Sequence, residues 1–333
     1  MFVLHSYAWA VLLCVVTMLC WGSWANTQKL ARAGWRFELF YWDYAVGVVL
    51  LSLLFAFTLG SVGAEGRGFL EDLTQADRRN LLSAFVGGVI FNAANILLVA
   101  AIDIAGMAVA FPVGIGLALV LGVIVNYLGN PVGDALLLFG GVGLVVVAIL
   151  LDAVAYRKLP GQSGGASAKG LGLSVACGIL MGLFYRFVAA SMSPDFVQLE
   201  PGKLSPYTAV VVFALGLLAS NVFFNTFIMR RPFRGAPLAA RDYFAGDART
   251  HLVGVLGGLI WGVGMMLSIL SSGPAGFAIS YGLGQGATMV AAFWGVFVWK
   301  EFKTAPAGTG RLIALMFICF LAGLSLIVWA RAA

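Results

Sequence analysis

Two charged side chains interrupt long apolar runs in this chain of 333 residues: Asp43, within Tyr41-Trp42-Asp43-Tyr44, and Arg186, directly after Tyr185. A charge at the centre of a bilayer costs about 2.5–3.5 kcal/mol on insertion scales, so each needs a partner or a task. Asp43 falls three residues inside its run, about 5 Å at 1.5 Å per residue. There it either reaches interfacial water or a neighbouring arginine, or serves as the protonatable group that couples a solute to a proton gradient. Arg186 is expected to snorkel to the interface, to gate the far end paired with Asp195 or Glu200, or to touch substrate. Uncharged groups mark the middle of the membrane more closely. Asn92 and Asn95 are three apart and share a helix face, and Trp261 and Gln285 fall at comparable depth. An amide presents a donor and an acceptor together, which suits a lactam, ureide or hydroxyl edge, and an indole offers a flat face for a ring. The expected substrate-binding set is Trp21, Trp24, Asn92, Asn95, Tyr185, Trp261, Tyr281 and Gln285. Helix-to-helix hydrogen bonding is the competing role for the asparagines. An aromatic belt or plain packing competes for Trp21, Trp24, Trp42, Tyr207 and Tyr281.

The elements that must position these groups are membrane spans. Apolar residues are 61% of the chain and charged residues 10%, against roughly 45–50% and 25% in soluble domains. A span needs about 20 apolar residues, and ten stretches qualify: 7–26, 40–59, 81–102, 106–128, 133–154, 170–192, 206–229, 252–270, 274–299 and 312–329. The expectation is an all-α polytopic membrane protein. The first stretch lacks a basic n-region and an A-x-A site before Trp21-Gly22-Ser23-Trp24, and reads as an uncleaved span. Cys14, Cys20, Cys177 and Cys319 all lie in apolar runs without ligand spacing, so neither a disulfide nor a metal is expected. No cofactor is expected. The excess of six positive charges sits in loops, which points to topology and away from nucleic acid. An intramembrane enzyme is the weaker alternative, since His5 and His251 lie at helix ends and no H-E-x-x-H or nucleophile elbow occurs.

Residues Gly87 to Gly116 and Gly257 to Gly286 align at a constant shift of 170 with nine of thirty positions identical. Both stretches carry an apolar helix opening Gly-Gly, a short break, and a second helix with Gly-x-Gly. Two five-helix copies follow, 1–155 and 170–333, with a linker at 156–169. Fourteen Lys and Arg fall in the loops after odd-numbered spans and five on the other side, which puts the linker in the cytoplasm and both termini outside. Five is odd, so the copies are expected to be inverted, as in alternating-access carriers. Pro112 and the Gly282, Gly284, Gly286 run are expected to loosen spans four and nine. The copies differ at Asn92/Gly262, Asn95/Met265 and Ile115/Gln285, which would make a shared pocket asymmetric.

The segment 257–302, with Ala275-Gly276-Phe277, Gln285, Phe293-Trp294-Gly295-Val296 and Lys300-Glu301-Phe302, together with Asp43-Tyr44 and Asn95, resembles the ureide permease family in a bacterial-type form. The resemblance implies the drug/metabolite transporter fold and a secondary carrier of nucleobase-like or ureide solutes such as allantoin, uracil or xanthine. It also implies proton drive, with sodium as the other candidate ion, and carries over Asp43, Asn95 and Gln285. Met265 stands where a second asparagine is expected, and the linker has no Gly-Lys-Ser/Thr. A monosaccharide or nucleoside permease of the same superfamily is the alternative. The remaining expected partners are the lipid bilayer of the inner (plasma) membrane and, as an option, a second copy in a homodimer.

Overall fold

The structure is a computed structural model that describes residues 1–160 and 167–332; the centre of the linker, 161–166, lies outside the described residues. Apolar runs of this length can satisfy their backbone in lipid only as helices or closed barrels. The chain takes the helical solution, with one isolated bridge, Met192 to Leu204, among the described residues. The helices are α1 (Tyr7–Ser23), α2 (Phe37–Phe57), α3 (Arg78–Ala105), α4 (Gly116–Gly129), α5 (Ala135–Arg157), α6 (Ala168–Ser191), α7 (Pro206–Arg230) and α8 (Ala248–Ala275). They continue with α9 (Phe277–Gly284), α10 (Ala287–Phe293) and α11 (Thr309–Ala332). Nine helical runs among the described residues are long and apolar enough to cross a membrane. The tenth expected stretch, 274–299, is not one helix: it breaks between α9 and α10 at Gln285 and ends in a π turn, Trp294–Val298.

The break has a local cause. Gly282, Gly284 and Gly286 weaken the helix, and α1 packs onto the gap. A Cβ on Gly286 would lie 2.2 Å from Met18 Sδ and one on Gly284 would lie 2.8 Å from the Trp21 ring. In the fourth stretch Pro112 removes a donor, and the backbone answers with a π turn over Phe111–Ile115 that leads into α4. Pro274 sits in the last turn of α8 rather than opening the ninth stretch, as the sequence suggested. The stop signals are Gly106 and Gly276, with φ of 77° and 84°, a region closed to most side chains.

Successive long helices run in alternate directions, which gives the bundle two distinct ends. At one end, here the terminal end, the Met1 amine donates to Glu65 O and Asp134 N donates to Ala330 O. At the other, the linker end, Arg36 donates to Ala236 O and the Lys169 ammonium lies over the Phe233 ring.

Glycine lets the central helices touch backbone to backbone, as helices must where lipid supplies no hydrophobic push. A Cβ on Gly258 of α8 would be 2.0 Å from Tyr44 O of α2, and one on Gly88 of α3 would be 2.0 Å from Phe213 O of α7. Gly47 and Gly216 complete the two contacts, at 2.3 Å from Val255 O and 2.1 Å from Phe85 O. Gly258→Ala and Gly88→Ala should each lower the thermal midpoint of the purified protein, by about 1–3 kcal/mol of overpacking. Gly143→Ala, inside α5 and meeting open space, should not lower it and should raise it slightly through helix propensity.

Candidate substrate-binding site

A cavity of about 470 Å³ lies between α1, α3, α8 and the α9–α10 break, lined by Trp21, Trp24, Phe91, Asn95, Trp261 and Gln285 among others. Five of the eight residues expected from the sequence line it: Trp21, Trp24, Asn95, Trp261 and Gln285. Trp21 and Trp261 face each other with ring centres 5.8 Å apart and planes 13° from parallel, and the Trp21 indole donates to Trp261 O at 3.2 Å. Phe91 backs Trp261 at 4.4 Å. Trp24 lies 4.7 Å from Tyr44, which stacks on Tyr41. The Asn95 amide donates to Tyr41 OH at 3.1 Å, which directs its NH₂ and leaves its oxygen for a ligand. The Gln285 side chain makes no hydrogen bond among the described residues; its backbone N–H closes the end of α9 on Tyr281 O.

Three expected site residues stand outside this cavity. Asn92 is fully buried and donates to Ser220 Oγ at 2.9 Å, tying α3 to α7. Three residues turn a helix through all but about 60° of a full circle, enough to swing Asn92 from the cavity to the helix contact. Tyr185 OH bonds Ser268, and Tyr281 OH donates to Ala118 O and Met181 O at 3.1 Å each. These phenols belong to a buried aromatic layer with Phe91, Phe184 and Phe213: Phe91 to Phe184 is 5.1 Å and Tyr185 to Tyr281 is 5.2 Å between ring centres.

The layer closes one side of the cavity. On the terminal side of it lies a second cavity of about 550 Å³, lined by Asn80, Ser83, Gly129, Arg186 and Phe277 among others. On the linker side the central cavity reaches Gln28, Ile102 and the exposed Asp103. It shares Phe37, Val99 and Asp103 with a third cavity, of about 650 Å³, under the loop after α7. The central chamber is therefore open toward the linker end and shut toward the termini.

Asp43 does not line the chamber. It is buried near the linker end of α2, where Tyr243 OH donates to Oδ1 at 2.6 Å and His251 Nδ1 lies 2.9 Å from Oδ2. Arg186 has no salt bridge among the described residues, and Asp195 instead caps the amides of Val197 and Gln198. Sequence reasoning missed Phe91, although the shift of 170 pairs it with Trp261, a signal that was available. It also missed His251 and Tyr243 as partners of Asp43; no spacing in the sequence brings a loop tyrosine to a carboxylate 200 residues away.

A family model described as ureide permease matches residues 40–159 and 162–330. The chain belongs to the ureide permease family. "Ureide permease 5" and "Ureide permease 4" of Arabidopsis thaliana are each 24% identical, covering 98% of this chain and 95% and 98% of their own lengths. "Probable ureide permease A3" of Vigna unguiculata is 22% identical over 86% of this chain and 94% of its own. A solved structure described only as the crystal structure of a protein superposes with a TM-score of 0.63 at 16% identity, over 98% of this chain and 99% of the other, and shows a shared fold. As a ureide permease family member this chain is a multi-pass membrane transporter of a small molecule and not an enzyme.

The site yields two expected outcomes. Gln285→Ala should weaken ligand binding about tenfold, the loss for one or two ligand hydrogen bonds, with abundance in the membrane unaltered; equilibrium binding on the purified protein reads this directly. Burial first, then the Asp43 carboxylate, push the Tyr243 phenol above its ordinary 10.0. Its ionisation then favours the unfolded chain, so its contribution is whole below pH 10 or so and is lost as pH rises through the folded value. Thermal midpoints measured from pH 8 upward should fall more steeply for the wild type than for Tyr243→Phe.

Proposed function

We propose that this protein is a secondary carrier of a flat, polar ureide- or nucleobase-like solute, held against the Trp21 and Trp261 indoles and read by Asn95 and Gln285. The observation that carries this reading is the central chamber itself: parallel aromatic faces, an unpaired Gln285 amide and a free Asn95 oxygen. Amides left without partners at membrane depth are costly unless a ligand completes them. The names of the curated relatives, all ureide permeases, support the same solute class. Met265, whose side chain departs from the family pattern, is fully buried and absent from the chamber lining. The departure thus removes nothing from the pocket that would hold a ureide.

Transport by alternating access of two inverted five-helix copies, 1–155 and 170–333, is the mechanism we infer. It is supported by paired features under a shift of about 170: Gly106 and Gly276 stop their helices with the same backbone twist, and Gly88 and Gly258 make the same close contact. Under that mechanism the chamber is captured open to the linker end, which the surplus of Lys and Arg assigns to the cytoplasm, in the inner (plasma) membrane with both termini outside. Asp43 is then the proton-coupling group, sodium being the other candidate ion. It acts through His251 and Tyr243 at the cytoplasmic mouth rather than by touching the solute, since a proton taken by its carboxylate disturbs the bond to Tyr243 in the segment after α7 and the bond to His251 at the start of α8.

A thermal-shift screen against ureides, nucleobases, nucleosides and pentoses should give its largest upward shift with a ureide or nucleobase; a pentose at the top would move the assignment to sugars. In proteoliposomes, Asp43→Asn should abolish pH-driven accumulation while solute exchange survives. Gradient dependence equal to wild type would remove Asp43 from coupling.

A further inference from the structure

The cavity at the terminal end is not used by the reading above, yet its lining follows the transport path. Along α3 the order is Asn80 and Ser83 in this cavity, Phe91 in the aromatic layer, then Asn95 in the central chamber. Along α6, from the other direction, it is Met181 in the chamber, Tyr185 in the layer, and Arg186 with Ala190 in the terminal cavity. Ile115 in the chamber with Gly129 at the end of α4, and Gln285 in the chamber with Phe277 in the terminal cavity, repeat the order on two further segments. Four segments thus place the two cavities in line, with the packed aromatic layer between them.

Within this cavity Arg186 stands without a partner. Among the described residues it forms no salt bridge, although the carboxylates of Asp77 and Glu200 share the lining with Arg79 and Lys203. Lys203 is already engaged, its ammonium donating to Ala190 O at 2.6 Å. The Arg186 guanidinium lies flat against the backbone of Gly129, where an added Cβ would come within 2.3 Å of its central carbon. Glycine at 129 therefore holds open the slot that orients the fork. A guanidinium is a rigid set of donors with no acceptor, matched to carboxylate, phosphate or paired carbonyl oxygens.

We propose that the terminal cavity is an outer antechamber of the transport path, in which Arg186 binds the acceptor-rich edge of the solute, carbonyl or carboxylate oxygens, before the aromatic layer opens. This rests on the carrier reading for the identity of its solute, but the electropositive, water-filled nature of the antechamber can be tested without it. A phospholipid headgroup offers the same oxygen chemistry, and the experiment separates the two sources.

Full-length protein in proteoliposomes of defined orientation, with radiolabelled allantoin as the probe, should show that Arg186→Gln raises KM from the terminal side about tenfold, the loss for a charge-assisted hydrogen bond. KM from the linker side should not move. Arg186→Lys should fall between, keeping charge and losing the fork, and Gly129→Ala, which displaces the guanidinium, should resemble Arg186→Gln. Equal changes from both sides, or none, would overturn the proposal. So would an effect of Arg186→Gln that disappears when anionic lipids are replaced by phosphatidylcholine, because the guanidinium would then be serving a headgroup. A second arm needs no solute: Ala190→Cys, with Cys14, Cys20, Cys177 and Cys319 changed to alanine, is reacted with anionic and cationic methanethiosulfonates. Relative to a free thiol, the anionic reagent should be favoured and Arg186→Gln should remove the advantage. An unreactive thiol, or a rate ratio indifferent to Arg186, overturns the antechamber. If wild-type protein carries no allantoin, the ureide reading fails while this arm still decides the antechamber.

Discussion

The backbone contacts of Gly47 with α8, Gly258 with α2, Gly88 with α7 and Gly216 with α3 hold the centre of the bundle together. Two helices meeting at a carbonyl oxygen cannot slide or rotate by even a methyl group without a clash, so the rotational setting of α3 and α8 is fixed there. Trp261 follows Gly258 by three residues and Asn95 follows Gly88 by seven, so each lies within one or two turns of the contact that sets its direction. Three residues bring Trp261 to within about 60° of Gly258 around α8, and seven bring Asn95 to within about 20° of Gly88 around α3, so each side chain enters the chamber on the same side of its helix as the glycine contact. A bulkier residue at the contact would turn the cavity wall as well as weaken the fold.

Membrane depth makes polar side chains costly, and the way this protein disposes of them separates structure from function. Asn92, Tyr185 and Tyr281 are partnered across helices, and the two phenols are completely enclosed. Asp43 keeps both carboxylate oxygens occupied, by a phenol and an imidazole. Gln285 and the oxygen of Asn95 lack a partner among the described residues, as do the buried oxygens of Asn92, Asn126, Asn221 and Asn225 and the Tyr44 hydroxyl; Gln285 and Asn95 differ from these in lining the cavity. An unmade hydrogen bond of this kind costs about 1–3 kcal/mol, and these two side chains lie where a solute has room to complete it.

The two ends are held by different physics. At the terminal end Asp72, with no exposed side-chain surface, accepts from Arg67, Ser205 N and Gln75, while Arg67 also donates to the carbonyls of Leu199, Glu200 and Lys203. Behind it stands the aromatic layer. At the linker end, the pair between Arg234 and Asp103 spans 3.7 Å with side chains 63% and 45% exposed, worth about 0–1 kcal/mol in water. The linker end thus combines exposed pairs with the buried Asp43 network, while the terminal end sets a buried carboxylate network in front of five packed rings.

The sequence by itself determined the membrane class, the helical architecture and most of the chamber, because the cost of burying polar groups in lipid writes itself into composition and run length. Nine runs formed long helices as read, and Trp21, Trp24, Asn95, Trp261 and Gln285 were recognisable as the few aromatic and amide groups at depth. The broken ninth stretch was foreshadowed by its glycines and the family by the residues around Gln285. What only the tertiary structure decided is which face each polar residue turns to. Asn92 and Asn95 look alike in one dimension, and a rotation of about 60° sends one to a helix contact and the other to the cavity. Tyr243 reaches Asp43 from a loop, and the aromatic layer is assembled from α3, α6, α7 and α9. Such meetings depend on the close approach of helices remote in sequence, and no periodicity along a single helix records them.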